Sequence, residues 1–196
     1  FTIGRDEADW VALNNAAWSR YESKDPKALE YAERAAQAAP QSAAVLDTLG
    51  VILLSLDSRA YTWDRLIARF DYDISFIDSA FTSVAARYNI DHDRIALAGF
   101  SDGATYALAL GRANGSIFRR VAAHAPGVLF PVRNHGRASF YIAHGHQDPI
   151  LPFEITQDII APSLRVMRFP VRLVEFDGGH VMRRINISES MRWFIE

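Results

Sequence analysis

The sequence predicts an α/β fold in which helices flank a mostly parallel sheet, preceded by a segment that is helical throughout. Two observations carry this prediction. Residues 10–50 are rich in alanine and space their apolar side chains at the helical period. From about residue 94 onward, short β-rich runs alternate with helical stretches, which is typical of a parallel sheet with crossover helices. The pattern changes within residues 50–59, so we predict domains at 1–54 and 55–196.

Capping residues and prolines delimit the helices of the first domain. Asp25 can cap a helix whose first position is Pro26, and Pro40 ends that helix. Ser42 can cap the next one. The predicted helices span about residues 8–22, 26–39 and 42–54.

The second of these helices resembles the second helix of a tetratricopeptide repeat. Ala28, Ala35 and Pro40 match the small, small and proline positions of that family, and Leu49-Gly50 matches the Leu-Gly pair of the next repeat. The resemblance covers about residues 8–54, and any alanine-rich helical hairpin is the alternative. Because such arrays need about three or more repeats for stability, we expect these helices to pack on the second domain or on another chain.

The elements of the second domain follow from its alternating runs. Residues 53–56 are a candidate for a first strand. Helices are predicted at 71–87, 103–112, 154–167 and 187–194, and strands at 94–98, 121–125, 139–143 and 171–176. The loops at the carboxyl ends of parallel strands lie along one rim of a sheet, so residues distant in sequence can meet there.

A candidate nucleophile follows the strand at 94–98. The pentapeptide Gly99-Phe100-Ser101-Asp102-Gly103 lies between an apolar strand and a helix, which is the setting of a nucleophile elbow. The sharp turn holds the serine in a strained conformation, and we expect side chains placed at the two glycine positions to collide. The Ser101 hydroxyl would then lie at the end of the sheet, beside the amides of a helix N-terminus.

A serine hydroxyl needs a base, and the base needs a group that orients it. Asp148 lies in the loop after the strand at 139–143, and His180 lies in the glycine-rich loop after the last strand. The chain order Ser101, Asp148, His180 is that of the α/β-hydrolase triad. Asp177 is too close to His180 in sequence to be its orienting acid.

Four segments in this order resemble the phospholipase/carboxylesterase branch of the α/β-hydrolases. They are Asp57-Ser58-Arg59-x-x-Thr62-Trp63-Asp64, Ala98-Gly99-Phe100-Ser101-Asp102-Gly103, His144-Gly145-x-x-Asp148-Pro149-x-Leu151-Pro152 and Phe176-x-Gly178-Gly179-His180. The resemblance runs from about residue 55 to 196. It implies that Ser101 is the nucleophile, His180 the base and Asp148 its orienting acid, in a hydrolase of carboxylic esters or thioesters that needs no cofactor.

The same resemblance implies further site residues. The backbone amide of Asp102 would be one oxyanion donor, and Trp63 and Phe100 would contact a small-molecule ester substrate. The His-Gly-x-Gly-type loop that supplies the second donor in that family is not found before Ser101. Losing one donor typically costs about 100- to 1000-fold in turnover, and residues 59–63 are the candidate replacement.

The strand that normally lies beside the nucleophile strand is also not found, so the chain resembles a truncated α/β-hydrolase. Residues 94–98 would then present a bare apolar edge, which proteins rarely tolerate. Residues 50–56 could add a strand, the N-terminal helices could cover the edge, or a second copy could pair with it. The last possibility predicts a homodimer or larger homo-oligomer.

Composition narrows the function classes. The net charge of −2 gives no indication that the protein binds a nucleic acid or an anionic membrane. The most apolar run, residues 50–56, is far shorter than the roughly 20 residues of a membrane span. The absence of cysteine excludes disulfides, thiolate metal sites and cysteine nucleophiles. The first residues lack a signal-peptide pattern, so a cytoplasmic location is favoured, and the missing initial methionine predicts a trimmed, processed or fragmentary N-terminus.

These observations favour a serine carboxylesterase that hydrolyses small acyl esters through an acyl-enzyme. His144 and His146 with Asp148 could suggest a metal site, but His144 belongs to the esterase-like motif, so no metal is predicted. The alternative is a weak or inactive hydrolase remnant that acts as a helical-repeat interaction module. An acyl transferase using the same triad is a third possibility.

Overall fold

The computed structural model describes residues 54–59, 62–63, 72–88 and 90–195, together with part of the residues from 12 to 35. The chain divides into two compact units, Phe1–Ser55 and Leu56–Glu196.

The described part of the first unit is helical at residues 12–13, 15–17, 19–20, 30–32 and 34–35. Asp25 Oδ1 accepts the backbone N–H of Lys27 at 2.9 Å, as an N-cap side chain does. Ala17, Ala32 and Ala35 are buried, so the helix faces that carry these small residues are shielded from solvent. The predicted helix at 42–54 lies outside the described residues except for Leu54, which is not helical. The tetratricopeptide assignment stays a prediction.

The second unit alternates strands and helices as the sequence predicts. Its described elements are α1 (Tyr72–Ala85), β1 (Ala96–Phe100), α2 (Asp102–Ala113), β2 (Arg120–His124), β3 (Ser139–Gly145), a π-helical segment (Ile155–Ile160), α3 (Ala161–Val166), β4 (Val171–Phe176) and α4 (Arg184–Ile195). The four strands form a parallel sheet in the order β1-β2-β3-β4. The α/β fold class is therefore confirmed for this unit.

The core lies on both faces of this sheet because neighbouring residues of a strand point to opposite sides. Phe140 and Ile142 of β3 pack in one cluster with Leu108 of α2 and Leu164 of α3. Tyr141 and Ala143 of the same strand pack in a second cluster, which also contains Phe176 of β4 and Trp193 and Phe194 of α4. Helices thus cover both faces, and β3 is buried from its second residue onward.

The prediction of a single helix at 154–167 is wrong, because the structure has two helical elements there. The chain forms the π-helical segment first and then α3, with Pro162 in the first turn of α3. Proline has no N–H to donate to the carbonyl four residues earlier, so a regular α-helix cannot run through this point with all its bonds. The N–H of Ala161 instead reaches back five residues to the carbonyl of Thr156.

Within the described residues, β1 is an edge strand that pairs only with β2. The candidate strand at 53–56 is described only at residues 54–56. These residues are irregular and do not form a strand. The expectation of a homo-oligomer that covers this edge stays a prediction. In the described ranges, no helix has the length and apolar character that crossing a membrane requires.

Candidate active site

Ser101 occupies a strained turn between β1 and α2. Its backbone has φ 57° and ψ −121°, a left-handed conformation that a residue with a side chain rarely adopts. A Cβ added at Gly99 would lie 2.2 Å from the carbonyl oxygen of Gly103, so this turn tolerates only glycine there. A Cβ at Gly103 would lie 3.5 Å from the Trp63 indole nitrogen, which is ordinary contact. The expected collision therefore applies to Gly99 and is wrong for Gly103.

Three loops at the carboxyl end of the sheet bring the predicted triad residues together. Ser101 follows β1, Asp148 follows β3 and His180 follows β4. His180 Nε2 lies 2.9 Å from Ser101 Oγ, and His180 Nδ1 lies 2.6 Å from Asp148 Oδ2. Because the carboxylate can only accept, Nδ1 carries the proton and Nε2 is left to accept the serine O–H. The arrangement can thus remove a proton from the hydroxyl.

Asp148 is held as a buried carboxylate. Its Oδ1 accepts the backbone N–H groups of Ile150 and Leu151, each at 2.9 Å. Burial by itself raises the pKa of Asp148, but the Leu151 amide, the His180 ring and the Ile150 amide together hold it below the usual value. The group is therefore charged at neutral pH although its side chain has no solvent exposure.

Asp148 has a second imidazole partner, His144, which the sequence grouped with it only as a possible metal ligand. His144, four residues earlier at the end of β3, is fully buried, and its Nε2 lies 3.2 Å from Asp148 Oδ2 and 2.9 Å from the Leu151 carbonyl oxygen. Its Nδ1 lies 2.7 Å from the hydroxyl of Thr156. The i, i+4 spacing predicts contact between side chains in a helix, but residues 146–148 form a turn after β3, so the spacing alone does not predict this contact.

His146 points elsewhere, toward two carboxylates on the surface. Its Nε2 lies 3.1 Å from Glu175 Oε2 and its Nδ1 lies 3.4 Å from Asp177 Oδ1. The hydrogen bond with Glu175, reinforced by that with Asp177, raises the pKa of the exposed His146 ring. Asp177 thus contacts a different histidine from the one in the triad. Across the described part of the chain, no three acidic, histidine or cysteine side chains are arranged to hold a metal ion.

The other predicted site residues lie near the elbow. Asp102 begins α2, and its Oδ2 accepts the Thr62 hydroxyl at 2.5 Å, which attaches residue 62 to the helix N-terminus. Trp63 stacks on Tyr106 of α2 with ring centroids 4.7 Å apart. The centroids of the Phe100 ring and the His180 imidazole are 4.8 Å apart. Residues 62 and 63 thus lie against the helix that begins beside Ser101, where residues 59–63 are expected to supply the second donor.

No family model and no curated protein matches the sequence. Among solved structures, the chain is similar to the Bacillus cereus carboxylesterase, with 20% identity, a TM-score of 0.55 and coverage of 73% of this chain and 66% of that one. It is similar to esterase PE8 at 20% identity and TM-score 0.54, over 61% of this chain and 57% of that one. A structure of YahD with malic acid matches at 17% identity and TM-score 0.54, over 66% and 64% of the two chains.

The fold is that of the α/β-hydrolases. The chain spans less than two thirds of the length of each of the three, between 57% and 66%.

Proposed function

We propose that the protein is a serine carboxylesterase that hydrolyses small acyl esters through an acyl-enzyme. The observation that carries the proposal is the continuous line of hydrogen bonds from Ser101 Oγ through the imidazole of His180 to Asp148, at 2.9 and 2.6 Å. The three groups lie within the distances that a nucleophile, its base and the orienting acid require. Both the Bacillus cereus carboxylesterase and esterase PE8 are esterases by name, which supports the same class of substrate.

In the proposed reaction, His180 Nε2 takes the proton of Ser101 while Oγ attacks the ester carbonyl carbon. The tetrahedral intermediate collapses, the ester C–O bond breaks, and His180 returns the proton to the leaving alcohol. Water then attacks the acyl-enzyme with His180 again as base, which releases the carboxylic acid and restores the serine. Asp148 keeps the proton of the resting imidazole on Nδ1 and stabilises the imidazolium that forms in each half-reaction.

The oxyanion of each intermediate would lie near the N-terminus of α2. The amide of Asp102 is one of the first N–H groups of that helix, which have no partner within the helix. The second donor is assigned to residues 59–63, because Thr62 bonds to the side chain of Asp102. Trp63 and Phe100, which lie against α2 and the base, are proposed to contact the acyl or alkyl groups of the ester.

The test is covalent labelling of Ser101 with a fluorophosphonate probe, together with turnover of p-nitrophenyl acetate. We expect the unaltered protein to take up one probe per chain, and Ser101→Ala to lose both labelling and turnover. Ser79→Ala changes an exposed serine of α1 and is the matched control, with both readouts unchanged. Failure of the folded protein to label or turn over would instead favour the alternative, an inactive hydrolase remnant that serves as an interaction module.

A further inference from the structure

A buried polar network lies behind the triad and ends on its acid. His144 is 0% exposed and so is Thr156, and the two side chains are joined by the 2.7 Å contact between Nδ1 and Oγ1. The other ring nitrogen of His144 faces Asp148. The contact thus connects the π-helical segment to the carboxylate that orients His180.

The surroundings of His144 determine which of its nitrogens carries the proton. Nε2 faces two oxygens that can only accept, the Asp148 carboxylate at 3.2 Å and the Leu151 carbonyl at 2.9 Å, so it must be the N–H donor. Nδ1 can then accept the Thr156 hydroxyl proton, for which the other acceptor, the Pro126 carbonyl, is farther away at 3.5 Å. One neutral tautomer satisfies every polar atom of the ring.

The carboxylate of Asp148 consequently accepts four hydrogen bonds. Two amides bind Oδ1, and the two imidazoles of His144 and His180 bind Oδ2. Four donors occupy all the lone-pair sites of a carboxylate, so the group cannot rotate without breaking a bond. His144 also competes with His180 for the same oxygen, which disperses the negative charge that the imidazolium would otherwise meet alone.

We propose that His144, whose Nδ1 is bound by the Thr156 hydroxyl, is a positioning residue that fixes the orientation and the charge of Asp148 toward His180. The inference rests on the proposed esterase function and adds to it a fourth side chain that touches neither the substrate nor the serine. Its effect should fall on the chemical step and on the pH at which the base becomes active, because it acts through Asp148.

The principal test compares His144→Leu with His144→Gln, using p-nitrophenyl acetate turnover from pH 5 to 9. Leucine fills much of the ring volume but donates no hydrogen bond, whereas glutamine keeps an N–H donor. For His144→Leu we expect kcat to fall by about 10- to 100-fold with KM unchanged, since the triad is misplaced and not the substrate. The acid limb of kcat/KM should move to higher pH. Without His144, the negative charge of Oδ2 is shared with no other imidazole and stabilises the His180 imidazolium more strongly. His144→Gln should recover most of both changes.

A second pair protects the test against misfolding of the His144 variants. Thr156→Val removes, at nearly constant volume, the hydroxyl that bonds to Nδ1 and holds the His144 ring in place, and Thr156→Ser retains it. We expect the valine variant to move kcat and the acid limb in the same directions as His144→Leu, by a smaller factor, and the serine variant to resemble the unaltered protein.

The outcomes separate this inference from the function on which it rests. If the unaltered protein neither labels with the probe nor turns over ester, the proposed function fails and the positioning role fails with it. If the unaltered protein is active and a folded His144→Leu, or Thr156→Val where the former does not fold, keeps its kcat and its acid limb, the positioning role alone is overturned. A loss of kcat with an unmoved acid limb and no recovery in His144→Gln indicates packing only, and also overturns it.

Discussion

Gly99 lies against Gly103 across the turn that carries Ser101, so closely that a Cβ at position 99 would be 2.2 Å from the carbonyl oxygen of position 103. The contact brings the end of β1 onto the first turn of α2. Between these two glycines Ser101 has φ 57°, and its hydroxyl lies 2.9 Å from His180 Nε2. The strain of the nucleophile turn is therefore coupled to a steric requirement two residues earlier.

Replacing Gly99 by alanine should destabilise the protein more than the same change at Gly103. The backbone carbonyl at 2.2 Å cannot move without disturbing α2, so we expect a loss of at least about 2 kcal/mol in the free energy of unfolding for Gly99→Ala. Among the described residues, the new Cβ of Gly103→Ala meets the Trp63 indole at 3.5 Å, and the change should stay within about 1 kcal/mol. Urea unfolding of the two variants measures the difference, and equal losses would contradict the steric account.

Asp148 and Asp177 give a matched comparison between an acid bonded to His180 and an acid that contacts His146. Asp148→Asn should reduce turnover of p-nitrophenyl acetate by about 1,000- to 10,000-fold, since an amide favours the wrong tautomer of His180. Asp177→Asn alters a 93% exposed group that contacts His146, so turnover should remain within a few-fold. Steady-state kinetics on both variants test the assignment, which a larger effect at Asp177 would reverse.

His124 should make the protein sensitive to acid. Its ring is buried at the end of β2, and burial lowers its pKa from 6.5 to about 4. Between those values the unfolded chain binds the proton and the folded chain does not, so stability falls as the pH falls from 6.5 to about 4. At about pH 4 this residue should have lowered the free energy of unfolding by about 3 kcal/mol relative to neutral pH.

We expect His124→Gln to flatten the dependence of unfolding free energy on pH within that window. The substitution removes the titrating ring while leaving a polar group near the Ser190 hydroxyl, 3.4 Å from the histidine. His92→Gln, in an exposed loop, should leave the slope as it is. Chemical denaturation at several pH values measures both, and parallel curves for His124→Gln and the unaltered protein would refute the prediction.

Arg112 and Arg119 allow a buried cation to be compared with an exposed one. Arg112 is 5% exposed and donates to the carbonyl of Phe130 at 2.8 Å and to the side-chain oxygen of Asn134 at 3.1 Å. Its replacement by leucine removes these partly buried bonds and should cost about 1–3 kcal/mol in total. Arg119→Leu removes a surface ion pair with Asp93 and should cost at most about 1 kcal/mol. Thermal unfolding ranks the two, and a larger loss at Arg119 would be inconsistent with the burial.

Several features could be predicted because they depend on short stretches of chain. The elbow needs only a strand, a glycine-flanked serine and a helix in succession, and the loops of Asp148 and His180 each follow a recognisable apolar strand. Parallel strands place such loops on one rim, which explains why the order of three motifs predicts their meeting. The tetratricopeptide segment stays a prediction, because the described residues there are too few to show a repeat.

Local periodicity and strand direction were enough to predict the alternation of strands and helices in the second unit, and to place Ser101, Asp148 and His180 after strand ends on one rim. What each of those side chains contacts depends on packing between distant segments. His144 contacts both Asp148 and Thr156 of the π-helical segment, and the pairing of Asp177 with His146 joins the loops that follow two neighbouring strands. Contacts of this kind require distant segments of the chain to be placed to within a few tenths of an ångström. No local sequence pattern encodes that placement.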